Sequence, residues 1–220
     1  MTIGGFSSLF GIQEPVLRKK LLQEDVMEKV IYRDLVKRYG IKKPDTLEKL
    51  FLYLVNQSSD ILNISSVGNS LQLSRDSVQE YIQYLREACL IMMAPRFAPS
   101  IETTVRAYPK VYAIDSGLIE VFSNLPIGKR VESIVARHLY FLHPGYYHNK
   151  WEVDFIVQQN DHILPIEVKF REQVGVEDLA GLKALQSKKP FASAIVVTKN
   201  FKGAQDNVVF MPAHLFLALV

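Results

Sequence analysis

Four charged residues stand among apolar ones in two neighbouring segments of the sequence, EVDFIVQ and HILPIEVKF. Glu152 and Asp154 are two residues apart in the first segment, as are Glu167 and Lys169 in the second. Alternate residues of a β-strand point to the same face, so each pair shares one face of its strand. The surrounding Val, Ile, Leu and Phe residues predict strands with a buried side. We therefore expect the charged groups to meet on adjacent strands.

Carboxylates in this pattern indicate a metal site with a neighbouring cation. Mg²⁺ prefers six oxygen ligands and usually takes one or two carboxylates from a protein. Asp154 and Glu167 can supply these, with the backbone carbonyl of Val168 as a third ligand and Mn²⁺ as the alternative ion. Lys169 cannot bind a metal while it is protonated. We expect Lys169 to orient the attacking water and to stabilise charge on a phosphate during an in-line displacement.

Other residues are candidates for supporting roles around this pair. Glu132, in KRVESIV, lies on a predicted helix and can aim a third, auxiliary carboxylate at the strands. The alternative is a favourable interaction with the helix dipole. Indirect support of the metal or contact with DNA is expected of Glu152, His148, Lys150 and Arg171. The alternative for each of these four is an ordinary solvated or ion-paired surface side chain.

The order of predicted elements defines the fold class as α/β. Residues 127–220 predict a helix, three strands, a helix, two strands and a helix, which indicates a sheet covered on both faces. Residues 1–44 predict an amphipathic helix that ends near Gly40, and residues 45–126 predict a winged-helix-like domain. In the second region, three short helices, with Ser74 as the N-cap of the last, precede two strands around a polar loop.

The spacing of Glu132, Asp154 and the Glu-Val-Lys run at 167–169 resembles the PD-(D/E)XK nuclease superfamily, and archaeal Holliday-junction resolvases are similar. The resemblance covers residues 128–200, and Val153 stands where the superfamily usually has proline. It implies a restriction-endonuclease-like α/β/α sandwich with a mixed central sheet. It also implies Mg²⁺-dependent cleavage of DNA, branched or otherwise structured DNA included.

More of the chain resembles the C-terminal half of an archaeal and bacterial AAA-type ATPase family. This resemblance rests on YRDLVKRYGI, KVYAIDSGL, EVDFIV and IEVKF, and IGGF near the start resembles the segment where the ATPase domain ends. It implies an ATPase domain as a partner in cis or in trans. The sequence contains no GxxxxGK[ST], so ATP hydrolysis is not assigned to this chain. A second copy of the chain is a further expected partner.

Composition sets the class and the compartment. The 220 residues are 48% apolar and 22% charged, as in soluble globular proteins, and no apolar run approaches the roughly 18 residues of a membrane span. The N-terminus lacks the features of a secretory signal, and the single Cys89 suits a reducing compartment. We therefore expect a cytoplasmic protein without membrane contact.

Charge separates three hypotheses about function. Residues 51–126 contain five Lys or Arg and seven Asp or Glu, which favours protein contact over binding of a DNA groove. The leading hypothesis is a metal-dependent DNA endonuclease-like module. The alternative is a catalytically inactive nuclease-like scaffold that serves as a partner-binding or regulatory module of an ATPase. A transcription factor that reads DNA through residues 74–87 is the third.

Overall fold

The computed structural model describes Gly5, Phe6, Leu9 and residues 11–98 and 100–219. Of the IGGF segment, Ile3 and Gly4 lie outside the described residues. The chain divides into two compact units, one formed by residues 1–93 and 111–125 and the other by residues 94–110 and 126–220. Within the described chain, no helix combines the length and the apolar character needed to cross a membrane.

The first unit is helical. Its elements are α1 (Pro15–Glu24), a π-helical stretch (Asp25–Leu35), α2 (Val36–Tyr39), α3 (Pro44–Asn56), α4 (Ile64–Leu71), α5 (Arg75–Glu87) and α7 (Ser116–Phe122). Leu22, Val26 and Ile31 form the predicted apolar stripe of the first helical segment and are buried. Gly40 ends that segment in the left-handed conformation, and the Ser74 hydroxyl accepts a hydrogen bond from the Ser77 N–H at 3.1 Å. Both predicted helix boundaries are confirmed.

The segment between the two predicted strands differs from the sequence-based expectation. The strands are present as β1 (Ile91–Ala94) and β2 (Lys110–Ala113), which form a two-stranded sheet. The predicted polar loop contains a helix, α6 (Ile101–Arg106), because Ser100 caps it by accepting a hydrogen bond from Thr103 N–H at 3.2 Å. Residues 94–110 belong to the second unit.

The second unit is built on a mixed six-stranded sheet, counted over its described residues. Its elements are α8 (Ile127–His138), β3 (Gly145–His148), β4 (Glu152–Gln159), β5 (His162–Lys169), α9 (Ala180–Gln186), β6 (Ala194–Thr198), β7 (Gly203–Gln205), β8 (Val208–Pro212) and α10 (Ala213–Leu219), with 3₁₀ turns at Tyr140–Leu142 and Val176–Leu179. The strand order is β3-β4-β5-β6-β8-β7. Strands β3 to β5 are antiparallel, β5, β6 and β8 are parallel, and β7 pairs antiparallel with β8.

Both faces of this sheet are covered. Val196 and Val197 point to opposite faces as consecutive strand residues, and both are fully buried. On one face, Leu182 and Leu185 of α9 pack with Val196. Helices α8 and α10 contact each other, and they contact β5 and β6 respectively. The predicted α/β fold, with a helical N-terminal region and a mixed sheet, is therefore confirmed, and the short β7 is an addition to it.

Candidate functional site

The carboxylates of Asp154 and Glu167 face each other at the point where the regular backbone pairing between β4 and β5 ends. The last regular pair in this direction is Phe155 with Ile166. One residue further, the Asp154 N–H donates to Glu167 Oε2 at 3.3 Å, and the Val168 N–H donates to Asp154 Oδ2 at 2.8 Å. Side-chain oxygens thus accept hydrogen bonds from the backbone of the neighbouring strand. This arrangement fixes both carboxylates relative to the sheet.

Burial and charge set the ionisation of this pair. Asp154 and Glu167 are both buried. Desolvation and the negative charge of Asp154 raise the pKa of Glu167 to about 8. The Lys169 ammonium donates a hydrogen bond to Glu167 Oε1. Burial lowers the pKa of Lys169, but the charges of Glu167 and Asp154 outweigh that effect and raise it above its usual value. The Lys169 ammonium thus lies against the Glu167 carboxyl group.

A residue that was not among the sequence-based candidates lies at the centre of the remaining carboxylates. The side chain of Lys110 is 1% exposed, and its Nζ lies 2.9 Å from Glu132 Oε1, 2.6 Å from Glu152 Oε1 and 3.3 Å from Asp154 Oδ1. The charge of a buried ammonium is tolerated only when it is paired in this way. One signal in the sequence could have identified Lys110, namely a lysine that opens the apolar strand KVYA, all of which is buried.

The structure therefore brings together four of the predicted carboxylates and two lysines in the second unit. Glu132 lies in the second turn of α8, where the helix dipole has largely decayed, and its partner is Lys110. Glu152, predicted to support the site, also contacts Lys110. In the antiparallel pairing of β3 with β4, His148 lies opposite Glu152. This register places the backbone of His148 near the site.

Two predicted contact residues have other neighbours. The Lys150 ammonium lies 5.8 Å from the ring centroid of Trp151. The Arg171 guanidinium forms an ion pair with Asp178. Both residues are exposed, and their contact with DNA stays a prediction.

The donor set at Asp154 and Glu167 fits one hard cation. Each of their four carboxylate oxygens accepts one hydrogen bond within the protein, from Lys110, Val168, Asp154 or Lys169. A carboxylate oxygen has two lone-pair directions, so each retains one for a metal. Two carboxylates with several waters is the usual protein environment of Mg²⁺. Among the described residues, no group of three or more His, Cys, Asp or Glu side chains is arranged to hold a metal ion.

Two family models match separate parts of the chain, and both are described as domains of unknown function. Residues 127–216 match the family described as Domain of unknown function (DUF4143), and residues 1–127 match Domain of unknown function (DUF8612). An uncharacterized protein of Haemophilus influenzae is 26% identical over 183 residues, which cover 76% of this chain and 44% of the relative.

An uncharacterized protein of Methanocaldococcus jannaschii is 29% identical over 117 residues, which cover 51% of this chain and 26% of the relative. The chain thus spans less than half the length of these curated relatives. No solved structure matches it significantly. Because the model for residues 1–127 covers more than half of the chain, the protein belongs to the DUF8612 family.

Proposed function

We propose that the second unit is a metal-dependent, DNA endonuclease-like module that acts on phosphodiester bonds and forms the C-terminal part of an AAA-type ATPase. The observation that carries the proposal is the reciprocal hydrogen bonding of Asp154 and Glu167 beside the Lys169 ammonium. This arrangement supplies two acidic oxygen ligands and one cation at a single buried point. The PD-(D/E)XK resemblance assigns those three groups to phosphodiester hydrolysis.

Each residue has a separate task in this mechanism. Asp154 and Glu167 would hold Mg²⁺ or Mn²⁺, and the ion would supply Lewis-acid activation of the phosphate and of the attacking water. Lys169, already paired with Glu167, orients the attacking water and stabilises the negative charge that develops on the phosphate oxygens. Glu132 acts as an auxiliary through Lys110, the cation that it shares with Asp154.

The test is cleavage of labelled four-way junction, flap, linear duplex and single-stranded DNA in Mg²⁺ or Mn²⁺. Asp154→Asn is the informative variant because its amide oxygen can still accept the hydrogen bond from Val168 N–H, whereas the ligand charge is lost. We expect Asp154→Asn and Lys169→Gln to lower cleavage about a hundredfold or more. Asp161→Asn, in the exposed turn between β4 and β5, is the matched control and should keep full activity. Equal cleavage by Asp154→Asn and wild type would refute the assignment.

The second candidate function is a catalytically inactive nuclease-like scaffold that binds or regulates an ATPase. The observation that favours it is the Lys110 ammonium, a cation of the protein itself that already contacts three of the carboxylates. Calorimetric titration with Mg²⁺ and Mn²⁺ separates the two candidates. Heat that disappears in Glu167→Ala supports the metal site, whereas no heat and no cleavage with wild type supports the scaffold.

A further inference from the structure

A second feature of the same unit is a cavity of about 480 Å³ that neither Asp154 nor Glu167 lines. Its wall combines the segment after β1, the end of β3, and the C-terminal end of α9 with the residues that follow it. The residues that matter for the argument are Arg96, Phe97, Tyr147, His148, Lys188 and Lys189. The volume falls within the usual range for sites that bind small molecules, roughly 300–1,000 Å³.

The charge of this wall is of one sign. Arg96, Lys188 and Lys189 are basic residues, and none of the described residues that line the cavity is acidic. The Arg96 guanidinium is held in place because it donates a hydrogen bond to the carbonyl oxygen of His148. The three cations therefore converge on one space, which favours an anionic ligand.

Aromatic rings provide the apolar part of the wall. Lys189 Nζ lies 5.1 Å from the ring centroid of Phe97, so one of the cations also contacts an aromatic face. Tyr147 lines the cavity from β3 and packs with Val153 and Leu182 behind it. A flat ring of a ligand can pack against such residues at little cost in conformational entropy.

Tyr147 also has hydrogen-bonding capacity that the described protein does not use. The residue is 9% exposed, and its buried hydroxyl has no hydrogen-bond partner among the described residues. More than 90% of buried polar groups in proteins have a partner, and an unsatisfied one costs free energy. Because the hydroxyl oxygen is also shielded from solvent, a ligand in the cavity reaches it only when the Tyr147 side chain turns towards the cavity, and it then gains a hydrogen bond for which no protein group competes.

We propose that this cavity binds a nucleotide, because a nucleotide combines a phosphate for the three cations, an aromatic base for Phe97 and Tyr147, and polar atoms for the Tyr147 hydroxyl. A free nucleotide and a nucleotide within a single strand share this chemistry. The inference does not depend on the metal-site proposal, because neither Asp154 nor Glu167 lines the cavity.

The first experiment is calorimetric titration of the full chain with AMP in the presence of EDTA, which removes any contribution from divalent ions. We expect AMP to bind at least about tenfold more tightly than adenosine or inorganic phosphate, because only AMP engages both parts of the wall. The double variant Lys188→Gln, Lys189→Gln should weaken AMP binding by about tenfold or more. Lys183→Gln, on α9 outside the cavity, is the matched control and should bind as wild type does.

The Tyr147→Phe variant separates ligand binding from folding. The substitution removes only the buried hydroxyl, so the unliganded protein should be as stable as wild type or more stable. Binding of AMP should nevertheless weaken about threefold to tenfold, through loss of one hydrogen bond. A short single-stranded oligonucleotide that binds more tightly than AMP, and is equally sensitive to both variants, identifies the nucleotide as part of a strand. Absence of AMP and oligonucleotide binding, or binding that the double variant does not change, would overturn the inference.

Discussion

Replacement of Lys110 by Met should strongly destabilise the second unit. The variant keeps an unbranched side chain in the strand but removes the ammonium from Glu132, Glu152 and Asp154. Loss of one partner from a buried ion pair typically costs about 3–5 kcal/mol, because the other charge stays buried without compensation. Glu152 is 35% exposed and water screens it in part, so we expect a loss near the lower end, about 3 kcal/mol. In a chain of this length that loss corresponds to a fall in Tm of about 6–12 °C.

Urea unfolding followed by tryptophan fluorescence is the suitable assay. Trp151 is the single tryptophan of the chain and precedes Glu152, so its signal reports the second unit even if the two units unfold separately. Lys202→Met, at an exposed position of the same unit, is the control and should change the free energy of unfolding by less than about 0.5 kcal/mol. A loss below about 1 kcal/mol for Lys110→Met, measured in EDTA, would refute the role of Lys110 as the compensating cation.

Divalent ions extend this prediction to the proposed metal site. Without Lys110, the carboxylates should bind Mg²⁺ or Mn²⁺ more tightly, because no internal ammonium competes for Asp154 Oδ1. Saturation at about 100 times the Kd would restore roughly 2.7 kcal/mol to the free energy of unfolding. Failure of this rescue would count against metal binding, and it would leave the stability effect of Lys110 intact.

Three further predictions concern single positions. The pKa of Glu167 is raised by folding from 4.5 to about 8, so its stabilising contribution is complete below pH 4.5 and is lost as the pH rises through 8. The free energy of unfolding, measured in EDTA between pH 4.5 and about 8, should therefore fall less steeply with pH in Glu167→Gln than in wild type, by up to about 1.4 kcal/mol per pH unit. An unchanged pH dependence would contradict the raised pKa. Gly181→Ala should lower the free energy of unfolding in urea by about 3 kcal/mol or more, because the added Cβ would lie 2.0 Å from the Glu152 carbonyl oxygen. Wild-type stability of this variant would show that the close approach is absent. Ser74→Ala should cost about 1 kcal/mol by loss of the N-cap bond to Ser77 in circular dichroism melts, whereas Ser74→Thr should retain most of it.

Periodicity predicted most of the second unit. The helix of residues 127–138, the two strands that carry the acidic residues, and the later helix and strands all occur where the apolar pattern indicated them. Local patterns are sufficient here because each element buries a face of its own. Strand β7 has only three residues and no buried side chain, so its sequence contains no comparable signal.

Only part of the candidate site could be predicted from the sequence. Spacing within two adjacent strands predicted that Asp154, Glu167 and Lys169 would be near one another. Lys110 approaches Glu132 from 22 positions away and Asp154 from 44, and no local periodicity encodes such a contact. The α6 helix was not predicted for a different reason: its six residues are mostly polar, and its main signal is the Ser100 cap.

The second unit is formed by two separate stretches of the chain, residues 94–110 and 126–220, and this affects which fragments can be expressed. The family match at residues 127–216 invites expression of a fragment that starts near Pro126. That fragment would retain Glu132, Glu152 and Asp154 but omit the Lys110 ammonium that contacts all three. A fragment of residues 94–220 includes it, along with the backbone hydrogen bonds between Pro95, Phe97 and Tyr146. Instability or inactivity of the shorter piece would therefore not bear on the intact second unit.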